Sequence, residues 1–190
     1  MLDDWLRAVL ATPGLTAIRD LAEARRHLLE DSLRGAAVIQ RFDGPIVDVG
    51  SGGGVPGIPL AFSLPEHEVT LLEANARKCG FLREWVPPNA AVVQGRAEEQ
   101  EMDRYGVAVA KALAPPPVAA EWCLPLVRQG GAVVLWVGPS ADVARVMRVA
   151  EQLAGALEGD EDGLLVLRKI APTPVGFPRR TGVARKRPLA

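Results

Sequence analysis

From residue 46 onward the chain alternates short aliphatic runs with stretches of helical spacing. The runs are IVDV 46–49, VTLLE 69–73, AAVV 90–93, VAVA 107–110, AVVLWV 132–137 and LLVLRKI 164–170. The stretches between them, 56–64, 75–86, 116–128 and 140–154, predict helices. Continuously apolar strands alternating with helices imply an α/β fold, a mostly parallel sheet with helices on both faces. The acidic turn EGDEDG 158–163 precedes the last run and predicts a hairpin that leaves this strand antiparallel. Before residue 46 the pattern is helical. Trp5, Leu6, Val9 and Leu10 share one face of a short helix that Pro13 and Gly14 stop, and Asp20 caps a second helix expected to run on to residue 41. Three segments follow: an N-terminal helical extension (1–44), an α/β core (45–170) and a tail (171–190).

Composition adds an aliphatic core, since 48% of residues are hydrophobic and only 5% aromatic. No run of about 18 apolar residues and no signal-peptide pattern occurs, so the expectation is a soluble cytoplasmic monomer that does not meet a membrane. Cys79 and Cys123 lack Cys or His companions, so buried inert thiols are expected and no metal. The net charge of −1 is unevenly spread. Residues 171–190 carry Arg179, Arg180, Arg185, Lys186 and Arg187 without an acidic residue, giving +5 against −6 for the rest. Such a tail reads either as a phosphate-contacting arm or as a solvated terminus.

The densest signal is IVDVGSGGGVPGIP 46–59. A glycine loop between the first strand and a helix places a ligand at the helix N-terminus. A dinucleotide fingerprint wants its third glycine where Val55 stands. The D-x-G-x-G-x-G pattern of Asp48, Gly50, Gly52 and Gly54, with Glu73 ending the second strand, points instead to S-adenosylmethionine (AdoMet). The glycines let the backbone approach the methionine part, and Glu73 accepts the ribose hydroxyls. A loop kept for packing alone is the alternative. Asp48 interrupts a buried strand and is expected to orient the loop amides or reach the cofactor amine through water.

After the fourth strand, LAPPPV 113–118 lacks the polar group that holds an exocyclic amine, and both cysteines fall on helices, away from a pyrimidine C5 nucleophile position. A ring nitrogen with a free lone pair, such as guanine N7, needs alignment but no general base. A site without an obvious base permits that chemistry.

LTAIRD 15–20, RHLLEDSL 26–33, the glycine loop running into PGIPLA, LLEANARKCGFL 71–82, GRAEE 95–99, KALAP 111–115 and FPRRTGVARKRPL 177–189 occur in order. With these segments the chain resembles the bacterial small-subunit (16S) ribosomal RNA guanine-N7 methyltransferases, the RsmG (GidB) family, over nearly its whole length. The resemblance implies a class I AdoMet-dependent methyltransferase fold, with Gly50, Ser51, Gly52 and Gly54 lining the cofactor site, Glu73 on the ribose and Arg96, Ala97 and Glu98 beside the adenine. It implies Lys111 facing the active site as the catalytic residue. His27, Asp31 and Ser32 fall near the pocket mouth, and His27, Arg179, Arg180 and Lys186 serve as RNA contacts, the partner being small-subunit RNA or its assembly particle.

Three positions depart from the family pattern. Lys111 stands where Arg is usual, Val137 stands where Lys is usual, and one extra residue lies between His27 and Asp31. On a regular α-helix that extra residue rotates the two side chains apart by about 100°. The tail is expected to serve RNA while leaving AdoMet affinity untouched. A small-molecule methyltransferase with the N-terminal helices as a lid, and a non-catalytic AdoMet- or RNA-binding protein, remain as alternatives.

Overall fold

The computed structural model describes residues 1–190, the side chain of Glu161 excepted. Seven strands form one sheet in the order β3-β2-β1-β4-β5-β7-β6. They are β1 Ile46–Val49, β2 Val69–Glu73, β3 Ala90–Gln94, β4 Tyr105–Lys111, β5 Val127–Trp136, β6 Gly155–Glu161 and β7 Leu164–Lys169. β1 to β5 pair in parallel, and β7 pairs antiparallel with both β5 and β6. The chain winds outward in both directions from the β1/β4 boundary, and at the carboxyl ends of those two strands such sheets form their ligand crevice.

Strand alternation divides the core between two faces. Ile46, Val107, Val109, Val134 and Val166 pack under α1 (Leu2–Ala11), the other N-terminal helices, α5 (Gly57–Ser63) and α6 (Ala76–Trp85). Val47, Ala108, Val133, Leu135 and Leu167 face α7 (Pro116–Cys123) and α8 (Val143–Gln152). The N-terminal helices share this core, since Trp5, Leu6 and Val9 are buried in it. The Trp5 indole N–H donates to Gly53 O at 2.9 Å and so ties α1 to the glycine loop.

Four elements differ from the sequence expectation. The helix expected from Asp20 to residue 41 is capped as anticipated, Asp20 Oδ1 accepting from Glu23 N at 2.8 Å, but it is segmented. It runs as α2 (Leu21–Ala24), a π-helical turn (Arg25–Glu30), α3 (Asp31–Leu33) and α4 (Ala36–Ile39). The helix expected over 116–128 ends at Cys123, because Pro125 sits in a tighter 3₁₀ turn, Leu124–Leu126. The acidic segment expected as a turn is mostly strand β6. Residues 171–190 fold back on the protein, where Phe177, Leu189 and Ala190 pack against the α7/α8 side of the core and Val183–Lys186 forms a short helix, α9.

Among the described residues no helix is long and apolar enough to cross a membrane, and no group of His, Cys, Asp and Glu could hold a metal ion. Cys79 and Cys123 are free and buried, and burial pushes both thiols up, away from the reactive thiolate.

Candidate active site

A cavity of about 260 Å³ opens at the carboxyl ends of β1 and β2. Its walls include Gly50, Glu73, Arg96, Ala97, Glu98 and Leu113. The ladder places Val49 opposite Leu72, so Glu73 emerges beside the start of the glycine loop. Its carboxylate is fixed at both oxygens, Oε2 accepting from Gly52 N at 3.0 Å and Oε1 from Asn75 N at 2.8 Å. A carboxylate oxygen accepts more than one hydrogen bond, so the pair remains able to receive two hydroxyls.

Gly50 has φ +75°, and a Cβ there would lie 2.3 Å from Leu113 Cδ1 on the cavity wall. Gly57 opens α5, and a Cβ there would meet Leu71 at 2.4 Å and Asp48 Oδ2 at 2.6 Å. The backbone therefore closes onto its surroundings at these two points with no room for a side chain. Ser51, Gly52 and Gly54 form the body of the loop behind the wall, with Ser51 Oγ donating to Asp48 O at 3.0 Å and Gly54 N to Ser51 O at 2.7 Å.

Asp48 is fully buried beneath this loop, where Oδ2 accepts from Gly57 N at 3.0 Å and Oδ1 has no partner. Burial pushes its carboxyl up from 3.8 to about 7, against the opposing hydrogen bond from Gly57. Between those values the folded protein holds a proton that the unfolded chain releases. Stability present at low pH is therefore lost as pH rises through about 7, by at most about 1.4 kcal/mol per pH unit. Melting the apo protein at pH 5 and pH 8 should show that loss, and Asp48→Asn should flatten it.

A second pocket, of about 320 Å³, shares Ala112 with the first and is lined by Asp31, Arg34, Lys111, Trp136 and Val137. Ala112 carries φ +53°, a strained backbone for a residue with a side chain, at the point where the two pockets meet. Lys111 ends β4 and pairs in register with Trp136 of β5. Its Nζ donates to Asp31 Oδ2 at 2.5 Å and to the backbone carbonyl of His27 at 2.8 Å. Arg34 holds the other oxygen of Asp31 at 2.6 Å, and the Trp136 indole N–H donates to Asp31 O at 2.8 Å.

The π-helical turn explains how His27 and Asp31 come to converge. Asp31 N bonds to Arg26 O, five residues back. One residue is thereby absorbed without the rotation a regular α-helix would impose, and the His27 carbonyl, which an α-helix would pair with that N–H, is left for Lys111. The expected rotation of about 100° is that of a regular α-helix, which this segment is not. The exposed His27 ring makes no hydrogen bond among the described residues; its carbonyl makes the contact.

The Arg179 guanidinium clasps the buried Glu121 of α7 through Nε at 2.5 Å and Nη2 at 2.7 Å, so it anchors the tail to the core. Arg180 and Lys186 are exposed. Thr181 Oγ1 donates to Glu99 Oε1 and Gly182 N to Glu98 Oε1, fastening the tail beside the first cavity. Two residues that sequence reasoning did not place there, Trp122 and Arg185, line that cavity. The Trp122 indole N–H is buried without a partner. Nothing in the local pattern of α7 distinguishes it from a core tryptophan.

The residues fit an AdoMet molecule: Gly50 on the cavity wall has no room for a side chain, so the backbone itself forms the wall there, and an anchored acid stands at the end of β2. Solved structures share the fold. The 16S rRNA N2 methyltransferase RsmC of T. thermophilus, in complex with AdoMet and guanosine, superposes with a TM-score of 0.54 over 74% of this chain and 40% of that one, at 17% identity. M. jannaschii TYW2 in complex with AdoMet gives 0.54 over 73% and 71%, at 16% identity. Fold and site define a class I AdoMet-dependent methyltransferase.

The particular family follows from sequence. Residues 4–150 match the GidB family, rRNA small subunit methyltransferase G, and the chain belongs to it. The ribosomal RNA small subunit methyltransferase G of Pelotomaculum thermopropionicum is 39% identical, over 93% of this chain and 83% of that protein. The protein of the same name from Thermotoga neapolitana is 36% identical, over 97% and 89%.

Proposed function

We propose that the protein transfers the methyl group of AdoMet to N7 of a guanine in small-subunit ribosomal RNA. The observation that carries the acceptor assignment is the clamped Lys111 ammonium at the junction of the two pockets. An ammonium has three N–H donors; Asp31 and His27 take two, and the third is left for a substrate acceptor. Guanine presents O6 and N7 as neighbouring acceptors on one edge, so a donor held on O6 fixes the plane of the base while leaving the N7 lone pair unengaged. When bound, AdoMet supplies an electrophilic sulfonium methyl. N7 carries no proton to be removed, so the residues need only align the base and exclude water. Asp31 offsets the Lys111 charge, which would otherwise oppose the positive charge that develops on the methylated ring.

Gly50 meets the methionine part in this reading, Ser51, Gly52 and Gly54 shape the loop behind it, and Glu73 holds the ribose. Arg96, Ala97 and Glu98 frame the adenine, Asp48 braces the loop from below, and Arg180 and Lys186 meet RNA phosphates. A small-molecule acceptor would give turnover insensitive to salt, whereas phosphate contacts make RNA binding fall steeply as salt rises.

Lys111→Ala should lower methylation of ribosomal particles roughly 10- to 100-fold, the worth of a hydrogen bond from a charged group. AdoMet affinity should stay unchanged. Asp31→Asn should give a smaller loss of the same kind, and Lys111→Arg should retain activity. Equal turnover of Lys111→Ala and the unaltered protein would remove Lys111 from the acceptor site.

A further inference from the structure

We propose that the C-terminal segment forms part of the AdoMet site, Arg185 acting as a planar cationic wall against the adenine. This rests on the AdoMet reading of the first cavity and extends it to Arg185, which lies beyond the matched residues 4–150.

The segment is built into the protein at spaced points ahead of Arg185. Arg179 is locked onto Glu121, which is only 3% exposed. Two residues on, Thr181 and Gly182 are tied to Glu99 and Glu98, and Glu98 is itself a wall of the cavity. Ala184 is buried in the contact between α7 and α9. Helix α9 therefore starts at a defined place, and its position 185 falls on the cavity. Opposite charge does not explain where Arg185 sits, because it forms no ion pair or hydrogen bond among the described residues. Its neighbours Lys186 and Arg187 do not line the cavity.

The lining around Arg185 suits a flat aromatic ligand. A guanidinium stacks on planar π systems and is weakly hydrated, which suits an exposed edge that must cover a purine. Arg96, Ala97 and Glu98 line the same cavity as Arg185. A purine ring held by those residues is within the reach of such a cation. Arg180, Lys186 and Arg187 are exposed on the same segment, so one short stretch of chain carries both the cofactor wall and cations free to meet phosphates.

The test is titration calorimetry of the full-length protein with AdoMet and separately with adenosine. Arg185→Ala is expected to weaken both ligands about 5-fold, as loss of one cation–π contact does, and Arg185→Lys to recover only part of it. Lys186→Ala and Arg187→Ala should leave both affinities unchanged. All four substitutions are at exposed positions and should melt with the unaltered protein. Affinities for Arg185→Ala within twofold of the unaltered protein would overturn the proposal, as would equal losses at all three positions, which would mean a general charge effect. Failure of the methylation reading would look different: normal AdoMet affinity without methyl transfer to RNA.

Discussion

Arg179→Ala should destabilise the protein by roughly 3–5 kcal/mol, the penalty for removing one partner of a buried ion pair. Glu121 is 3% exposed and takes both of its hydrogen bonds from this guanidinium, so truncation leaves an unpaired carboxylate inside the α7 packing. For a domain of this size the melting temperature should fall by roughly 10 °C. Replacing both partners by apolar residues of similar volume, Glu121→Leu with Arg179→Met, should recover most of the loss, because a desolvated ion pair is itself nearly neutral. If Arg179→Ala melted normally and lost only RNA affinity, the residue would be the surface contact that its place in a basic tail suggests. The double replacement also bears on the cofactor site, since it should restore the position of α9.

Gly50→Val should abolish measurable AdoMet binding while the protein remains folded. Even a Cβ at this position would lie 2.3 Å from Leu113 Cδ1, and a valine branches further. The residue also sits at φ +75°, where a β-branched side chain is strained. Gly50 and Leu113 both line the cavity, so any relaxation of the clash closes space the cofactor needs. Gly52 provides the contrast within the same loop, because the nearest atom to its added Cβ is Gly50 O at 3.8 Å. Gly52→Ala should therefore bind AdoMet far better than Gly50→Val, at the cost of the strain from φ +56°. Calorimetry on the two variants, with circular dichroism to confirm folding, separates them. Similar AdoMet affinity for Gly50→Val and the unaltered protein would place the cofactor elsewhere.

The central sheet was legible because β1, β2 and β4 are mostly apolar and buried nearly throughout, as strands covered on both faces must be. Strand β6 was not legible: GALEGDE pairs only with β7 at the sheet edge, and its polar residues gave no periodic signal. The nearness of the glycine loop to Glu73 was readable, since both follow or end adjacent parallel strands and the register brings them together. The π-helical turn was not, because which residue of RHLLED is absorbed depends on the tertiary contact between Asp31 and Lys111. The tail's charge did not reveal that Arg179 is held by Glu121. A compensating signal was present in PPVAAEWC, where Glu121 interrupts an apolar helix and requires a cation from elsewhere in the chain. Which arginine supplies it is fixed only by the fold.

One measurement tests the account most directly. Small-subunit particles from cells lacking this activity are incubated with the protein and methyl-labelled AdoMet, and the RNA is digested to nucleosides and resolved by mass spectrometry. The account predicts label in 7-methylguanosine, lost with Gly50→Val and much reduced with Lys111→Ala. Label in any other nucleoside, or none from a protein that binds AdoMet normally, would contradict it.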